Sequence, residues 1–336
     1  MIQVESLVKK YGNHTAVDRL SFTVEKGQIY GFLGPNGAGK STTMNIMTGY
    51  IAANSGTVTI NGYDILKESE KAKQCIGYLP EIPPLYTDMT VQEYLLFVAE
   101  LKKVPKKERA GHVDEIIGMT QITDVKGRLI KNISKGYKQR VGLAQALIGD
   151  PEVLILDEPM VGLDPKQIIE MRDLIKKLSE NRTIILSSHI LSEVSAVCDH
   201  ILIISNGKLA ASGSPQELQE MMRTTTELEI TALGTKEHAE EILQKISGIE
   251  SYEIEYAQEA DAVMIRVKVA GDADMRKELS MALSKEGMPI LSMNRIEKSL
   301  EDIFLKLTGS EAGEMDESDA DDAGEEKEET GDGSDL

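Results

Sequence analysis

The chain of 336 residues has little of several features that mark whole classes of protein. It has no tryptophan, 4% aromatic residues, and two cysteines, Cys75 and Cys198, without C-x-x-C spacing. Two cysteines that lie far apart in the chain and lack this spacing argue against a disulfide or a metal site, so we expect buried free thiols. No apolar run approaches the roughly 18 residues of a membrane helix, and the N-terminus lacks the basic and apolar regions of a signal peptide. We therefore expect a cytoplasmic protein that reaches a membrane only through a partner.

The chain also lacks an excess of positive charge, since its 37 Lys and Arg are outnumbered by 56 Asp and Glu, which leaves a net charge of −19. A nucleic-acid partner is not expected, because nucleic-acid-binding domains carry a basic face. Residues 311–336 hold 13 acidic residues, one lysine and almost no large apolar side chains. This composition predicts a disordered acidic tail. Two roles for the tail remain open, solvation of the chain and docking or inhibition.

The most informative segment is a glycine-rich run between an apolar stretch, 29–33, and a helix-forming stretch, 41–49. It reads Gly34-Pro35-Asn36-Gly37-Ala38-Gly39-Lys40-Ser41-Thr42 and matches G-x-x-x-x-G-K-[ST]. Glycines let successive backbone N–H groups point at phosphate oxygens, and the following helix directs its positive end to the same place. Lys40 can then reach the terminal phosphates, and the Ser41 hydroxyl can ligate Mg²⁺. The run predicts a nucleoside triphosphate site.

Two adjacent acidic residues follow another apolar strand. Val153–Leu156 precedes Asp157 and Glu158. A strand end beside a phosphate loop is where Mg²⁺ is held, which assigns Asp157 to the metal, through water. Glu158 is then placed to activate the attacking water as a general base.

The residue pattern divides the chain into three parts. Residues 1–215 alternate apolar strands with helices, which predicts an α/β domain with a parallel sheet covered on both faces. A helical subdomain at about 82–149 is inserted into this domain. Residues 216–310 follow the order βαββαβ and predict a small α+β domain, which we interpret as a regulatory or dimer-contact module. Residues 311–336 form the tail.

Several motifs in residues 1–215 together carry a resemblance to a known family. Besides the phosphate loop and the acidic pair, they are Ile133-Ser134-Lys135-Gly136-Tyr137-Lys138-Gln139-Arg140 and Gly162-Leu163-Asp164-Pro165. In this order they resemble the nucleotide-binding subunit of an ABC transporter. The resemblance implies a P-loop NTPase fold of the ABC cassette type, ATP and Mg²⁺ as cofactors, and Mg-dependent ATP hydrolysis.

The resemblance also implies roles for residues outside the phosphate loop. Tyr11 matches the aromatic residue that stacks on adenine, and His189 matches the histidine that senses the γ-phosphate. Ser134 and Gly136 match the signature positions that contact the γ-phosphate of ATP held by the opposite subunit. Asp164 matches the loop that crosses the dimer interface. Two subunits, identical or different, are therefore expected to close head to tail on ATP.

Two positions depart from the family pattern. The signature is usually L-S-G-G-Q, so Lys135 adds a positive charge near the expected phosphate contact. Glu81 stands where the family has a glutamine that links Mg²⁺ and water to the membrane partner. Glu81 joins Ser41 and Asp157 as a predicted metal ligand, but it repels Glu158 when metal is absent. We expect hydrolysis to depend more strongly on Mg²⁺ or on partner docking.

Within the family, the Ser-Lys-Gly-Tyr signature and the appended C-terminal domain are most similar to exporters of the multidrug-resistance and gliding-motility kind. This similarity implies separate multi-spanning permease subunits and a peripheral position on the inner face of the cell membrane. Two alternatives remain open: a soluble ABC-type ATPase that acts on ribosomes or DNA, and an ATP-gated binding module without turnover. The acidic charge argues against the first, and the intact Lys40, Glu158 and His189 argue against the second.

Overall fold

The computed structural model describes residues 1–221, 225–257, 259–270, 274–296 and 304–305. The strands in these ranges are β1 Ile2–Tyr11, β2 His14–Val24, β3 Ile29–Leu33, β4 Ser55–Ile60, β5 Tyr63–Asp64, β6 Ile76–Leu79, β7 Val153–Leu156, β8 Thr183–Ser188, β9 His200–Ser205, β10 Lys208–Gly213, β11 Thr225–Leu233, β12 Ile249–Tyr256, β13 Ala262–Ala270 and β14 Ile290–Ile296. The α-helices are α1 Lys40–Met47, α2 Ser69–Gln74, α3 Val91–Leu101, α4 Arg109–Met119, α5 Lys135–Leu147, α6 Pro165–Ser179, α7 Leu191–Ser195, α8 Pro215–Met221, α9 Lys236–Leu243 and α10 Arg276–Lys285.

A six-stranded sheet of order β10-β9-β3-β8-β7-β6 organises the first part of the chain. Its strands are parallel except for the antiparallel β10. The carboxyl ends of parallel strands meet at one edge of a sheet, where ligands bind in open α/β folds. The phosphate loop after Leu33, the acidic pair after Leu156 and the histidine after Ser188 therefore lie at the same edge.

Both faces of this sheet are buried, as the apolar strands predict. Along β7, Leu154 and Leu156 pack into one hydrophobic cluster with the helical segments, and Val153 and Ile155 pack into a second. This alternation follows from the two-residue period of a strand. The second cluster is covered by α1 and by an antiparallel sheet of order β2-β1-β4-β5. The strand pattern of the sequence did not predict this second sheet.

The predicted helical insertion is present, but its beginning differs. Residues 82–90 contain no helix, and α3 begins at Val91. Pro83 and Pro84 lie in this segment, and proline lacks the N–H that a helix interior needs. Thr90 and Glu93 form a capping box, in which each side chain accepts a bond from the other residue's backbone N–H. The start of the helix is therefore fixed by the cap.

The last part of the described chain confirms the βαββαβ prediction. Its strands form an antiparallel sheet of order β12-β13-β11-β14, and α9 and α10 supply apolar residues to a separate core with these strands. The acidic tail predicted at 311–336 falls outside the described residues. Phe304, which is described, packs against the first hydrophobic cluster. None of the described helices has the length and apolar character that a membrane crossing requires.

Candidate active site

The phosphate loop joins β3 to α1 through a backbone that only glycine adopts easily. Gly37 and Gly39 have φ values of +79° and +102°, in the left-handed region. A Cβ at Gly39 would also lie 2.4 Å from the carbonyl oxygen of Ala16. Since neither the conformation nor the space accepts a side chain, the loop can curl closely around the start of α1, where the helix dipole favours an anion.

A cavity of about 420 Å³ opens at this loop. Its lining combines the loop with the ends of β1, β2, β6, β7 and β8, and consists of Tyr11, His14, Ala16, Asn36, Gly37, Gly39, Lys40, Ser41, Thr42, Glu81, Glu158, Val161 and His189. Most of these residues are predicted from the sequence. His14, Ala16 and Val161 were missed because they belong to no motif, although His14 follows the predicted aromatic residue closely in the chain.

Lys40 lies at the base of the cavity and is only 6% exposed. Its Nζ donates to the carbonyl oxygens of Gly34 at 2.7 Å and Pro35 at 3.2 Å, and lies 4.0 Å from Oε1 of Glu158. Burial lowers the pKa of Lys40, and the nearby carboxylates, chiefly Glu158, oppose this shift. An anion in the cavity would relieve the cost of burying the ammonium group.

Asp157 is held by hydroxyl groups from two sides. The Ser187 hydroxyl donates to Oδ1 of Asp157 at 2.5 Å, and the Ser41 hydroxyl lies 3.5 Å from the same oxygen. Ser187 also accepts a bond of 2.9 Å from the backbone N–H of Glu158. The role of Ser187 could not be predicted from the sequence, because its position becomes apparent only when β8 pairs with β7. Ser41 and Asp157 therefore place oxygen ligands side by side.

Glu158 and His189 meet across the same edge. Glu158 has a φ of +46°, an uncommon value for a residue other than glycine, and its side chain is buried. Nδ1 of His189 lies 3.2 Å from one carboxylate oxygen of Glu158 and 3.1 Å from the other. The cavity therefore contains a carboxylate and an imidazole in direct contact above Lys40.

The signature residues lie away from this cavity. Ser134 caps α5 by accepting from the backbone N–H of Tyr137 at 3.4 Å. Gly136 packs so closely on Gln167 that an added Cβ would lie 2.6 Å from the amide oxygen. Asp164 caps α6 by accepting a 2.9 Å bond from the backbone N–H of Gln167. A single chain does not bring these residues to Lys40.

Glu81 lines the cavity with an exposed side chain and also borders a larger groove. The groove has a volume of about 890 Å³ and contains Tyr50, Tyr78 and Ile82. Tyr50 is 80% exposed and Ile82 is 83% exposed. Glu81 thus connects the polar cavity to an apolar surface.

The chain is similar to known proteins over most of its length. Residues 17–161 match the family model described as ABC transporter. The chain is 37% identical to the bacitracin transport ATP-binding protein BcrA of Bacillus licheniformis, over 92% of this chain and 97% of the relative. It is 35% identical to the linearmycin resistance ATP-binding protein LnrL of Bacillus subtilis (strain 168), over 92% and 98%.

The chain belongs to the ABC transporter ATP-binding proteins. A solved structure of CbiO1 from Clostridium perfringens, part of the ABC transporter complex CbiONQ, matches with a TM-score of 0.60 and 30% identity. The match covers 65% of this chain and 89% of that one. The predictions of an ABC cassette fold, of ATP as ligand and of an ABC-type ATPase are confirmed. As an ABC ATPase subunit, the chain dimerises and works with membrane permease subunits.

Proposed function

We propose that this subunit hydrolyses ATP in the 420 Å³ cavity and thereby drives export through separate permease subunits on the inner face of the cell membrane. The observation that carries this proposal is the meeting of Lys40, Glu158 and His189 in one cavity beside the bonded pair Ser41 and Asp157. Export is supported by relatives named for bacitracin transport and linearmycin resistance.

Each group in the cavity has a chemical task in this proposal. The ring of Tyr11, half exposed in the cavity wall, stacks on the adenine. The backbone of residues 34–42 surrounds the phosphates, and Lys40 binds the terminal ones. Glu158 accepts a proton from the attacking water as general base. His189 fixes the orientation of that carboxylate and contacts the γ-phosphate.

The oxygen ligands in and beside the cavity fit Mg²⁺. Among the described residues, no group of three or more His, Cys, Asp or Glu could hold a metal alone. Mg²⁺ is commonly bound by one or two carboxylates together with substrate phosphates, so a complete protein cage is not needed. Ser41, Asp157 and Glu81 would hold it. When bound, Mg²⁺ neutralises charge that develops on the phosphates.

A second ATPase subunit is needed to complete each site. Ser134, Gly136 and Asp164 carry the signature and interface motifs but do not line the cavity of their own chain. In the proposed cycle they are supplied to the ATP of the opposite subunit when two subunits close head to tail. Both a homodimer and a heterodimer meet this requirement.

The groove beside Glu81 is the proposed docking site for the permease. Its exposed Tyr50 and Ile82 offer apolar surface to a partner helix, and Glu81 connects that surface to the cavity. A conformational change on ATP binding can then be passed from the cavity through Glu81 to the permease in the groove. The domain at 216–310 acts as a regulatory or dimer-contact module in this proposal.

The test is the capture of partners by a hydrolysis-deficient variant. We expect purified protein to release phosphate from Mg-ATP, and Glu158→Gln with ATP to retain a multi-spanning protein from solubilised native membranes. Recovery of ribosomes or nucleic acid, with no membrane protein, would instead support a soluble ABC-type ATPase. Absence of phosphate release under any condition would support an ATP-gated binding module.

A further inference from the structure

The turn between β1 and β2 places His14 beside the proposed adenine-stacking residue. Tyr11 and His14 are direct cross-strand partners on either side of Gly12 and Asn13, and Gly12 has a φ of +57°. Side chains of directly opposed residues lie on the same face of a sheet, with Cβ atoms about 5 Å apart. Both residues line the 420 Å³ cavity. The hairpin therefore presents an aromatic ring and an imidazole to the same ligand.

The course of β2 places His14 between Tyr11 and the phosphate loop. Ala16, two residues further along β2, has its carbonyl oxygen 2.4 Å from the Cβ position of Gly39 in that loop. A strand rises about 3.3 Å per residue, so the Cα atoms of His14 and Ala16 are about 7 Å apart. β2 is also the edge strand of its sheet, whereas Tyr11 lies on the inner strand β1. His14 therefore lies close to the phosphate loop.

The His14 side chain is exposed and, across the part of the chain that the structure describes, forms no hydrogen bond or ion pair. The other charged or titratable groups in the cavity wall are Lys40, Glu81, Glu158 and His189, together with the Tyr11 hydroxyl. Lys9 lies 5.2 Å above the Tyr11 ring. The imidazole carries an N–H donor in both its neutral and its charged form. It therefore has an unused donor that can meet an acceptor on a ligand.

We propose that His14 binds the nucleotide by donating an imidazole N–H to the α-phosphate. This inference rests on the proposed function, which puts adenine at Tyr11 and the terminal phosphates at Lys40. The part of ATP that spans these two anchors is the ribose and the α-phosphate. Of these, the α-phosphate is the charged acceptor, and hydrogen bonds to charged acceptors are the stronger ones.

The experiment compares the affinities of ATP and ADP for the full chain, His14→Ala, His14→Lys and the control His238→Ala. His238 is an exposed histidine on α9, away from the cavity lining. We expect His14→Ala to weaken ATP and ADP equally, by about five- to tenfold, because both nucleotides carry the α-phosphate. His14→Lys should retain affinity within about threefold, since an ammonium group also donates to phosphate. The control should bind as the parent does.

Three results would overturn the inference: unchanged affinity in His14→Ala, a loss confined to ATP, or an equal loss in His14→Lys and His14→Ala. The second would place the contact at the γ-phosphate. The third would show that the shape of the imidazole ring matters and that donation of a hydrogen bond does not. Circular dichroism of each variant separates a lost contact from a lost fold. If the parent chain binds neither nucleotide, the proposed function itself fails, and this inference fails with it.

Discussion

Nδ1 of His189 lies within hydrogen-bonding distance of both carboxylate oxygens of Glu158, at 3.2 and 3.1 Å. An ionised carboxylate only accepts hydrogen bonds, so this contact is a hydrogen bond when Nδ1 carries the proton. Nε2 of His189 is then left for another contact. The backbone N–H of Glu158 is meanwhile bonded to Ser187 at 2.9 Å. Glu158 is thus held both at its backbone N–H and at its carboxylate oxygens.

Glu158→Gln should abolish most of the hydrolysis and leave nucleotide binding intact. The amide has nearly the same shape but cannot accept a proton, and general-base catalysis is worth about 10²- to 10⁴-fold. We expect phosphate release to fall by at least about 100-fold. ATP affinity should hold or rise, because the substitution removes a negative charge 4.0 Å from Lys40.

Glu152→Gln is a matched control for that change. Glu152 directly precedes β7, is exposed and pairs with Lys26 at 3.4 Å on the surface. It should hydrolyse ATP at the parent rate. Turnover of Glu158→Gln at the parent rate would show that the general base lies elsewhere.

At alkaline pH, the protein should take up protons when it binds a nucleotide. In the free protein, burial lowers the pKa of Lys40 from 10.5, and a bound polyphosphate should raise this pKa again. Between the two pKa values the free protein holds fewer protons than the complex, so ATP affinity should fall as the pH rises through the lowered pKa. Calorimetry at a pH of about 9.5, in buffers of different ionisation enthalpy, measures the uptake.

Lys40→Arg distinguishes Lys40 from other groups in that measurement. Arginine stays charged throughout this range, so this variant should bind nucleotide without proton uptake, even if more weakly. Lys71→Ala, which removes an exposed lysine paired with Glu68, should retain the uptake of the parent. Equal heats in all buffers for the parent would contradict the prediction.

Glu81→Gln should change the metal dependence of hydrolysis. Glu81 lines the cavity with an exposed carboxylate where the family pattern has an amide. Removal of this charge weakens the attraction for Mg²⁺, so we expect a severalfold higher Mg²⁺ concentration at half-maximal rate. Glu100→Gln, which removes an exposed carboxylate paired with Arg109 on the surface, should leave this concentration unchanged. If Glu81→Gln has the parent's rate and Mg²⁺ dependence, the hypothesis is wrong.

Gly31→Ala should destabilise the central sheet by about 1–3 kcal/mol, the usual cost of overpacking a core. An added Cβ would lie 2.0 Å from Cγ1 of Val194 and 2.9 Å from Sγ of Cys198. Urea unfolding measures the loss, and a second substitution, Val194→Ala, should restore part of it in the double variant.

The same substitution at Gly111 should not lower the free energy of unfolding. Gly111 lies within α4, and an added Cβ there meets no atom within 4 Å. Alanine is favoured over glycine in a helix by about 0.5–1 kcal/mol, so Gly111→Ala should be neutral or stabilising. A comparable loss of stability at both positions would show that the contact with Val194 is not the cause.

The sequence by itself determined the elements whose conformation depends on residues close together in the chain. The glycines and Lys40 of the phosphate loop, the strand that directly precedes Asp157, and the βαββαβ order of residues 225–296 could be predicted because turn geometry and strand periodicity act over a few residues. The helical subdomain was predicted from about residue 82, whereas its first helix begins at Val91, after the cap at Thr90.

The tertiary structure decided which distant groups meet. Ser187 contacts Asp157 only because β8 pairs with β7, and His14 joins the cavity only because the β1–β2 hairpin lies over the phosphate loop. The antiparallel sheet that covers the second face of the core is likewise a matter of pairing between strands far apart in the chain. A sequence fixes local conformation through short-range sterics and hydrogen bonds, but such long-range contacts depend on packing of the whole domain.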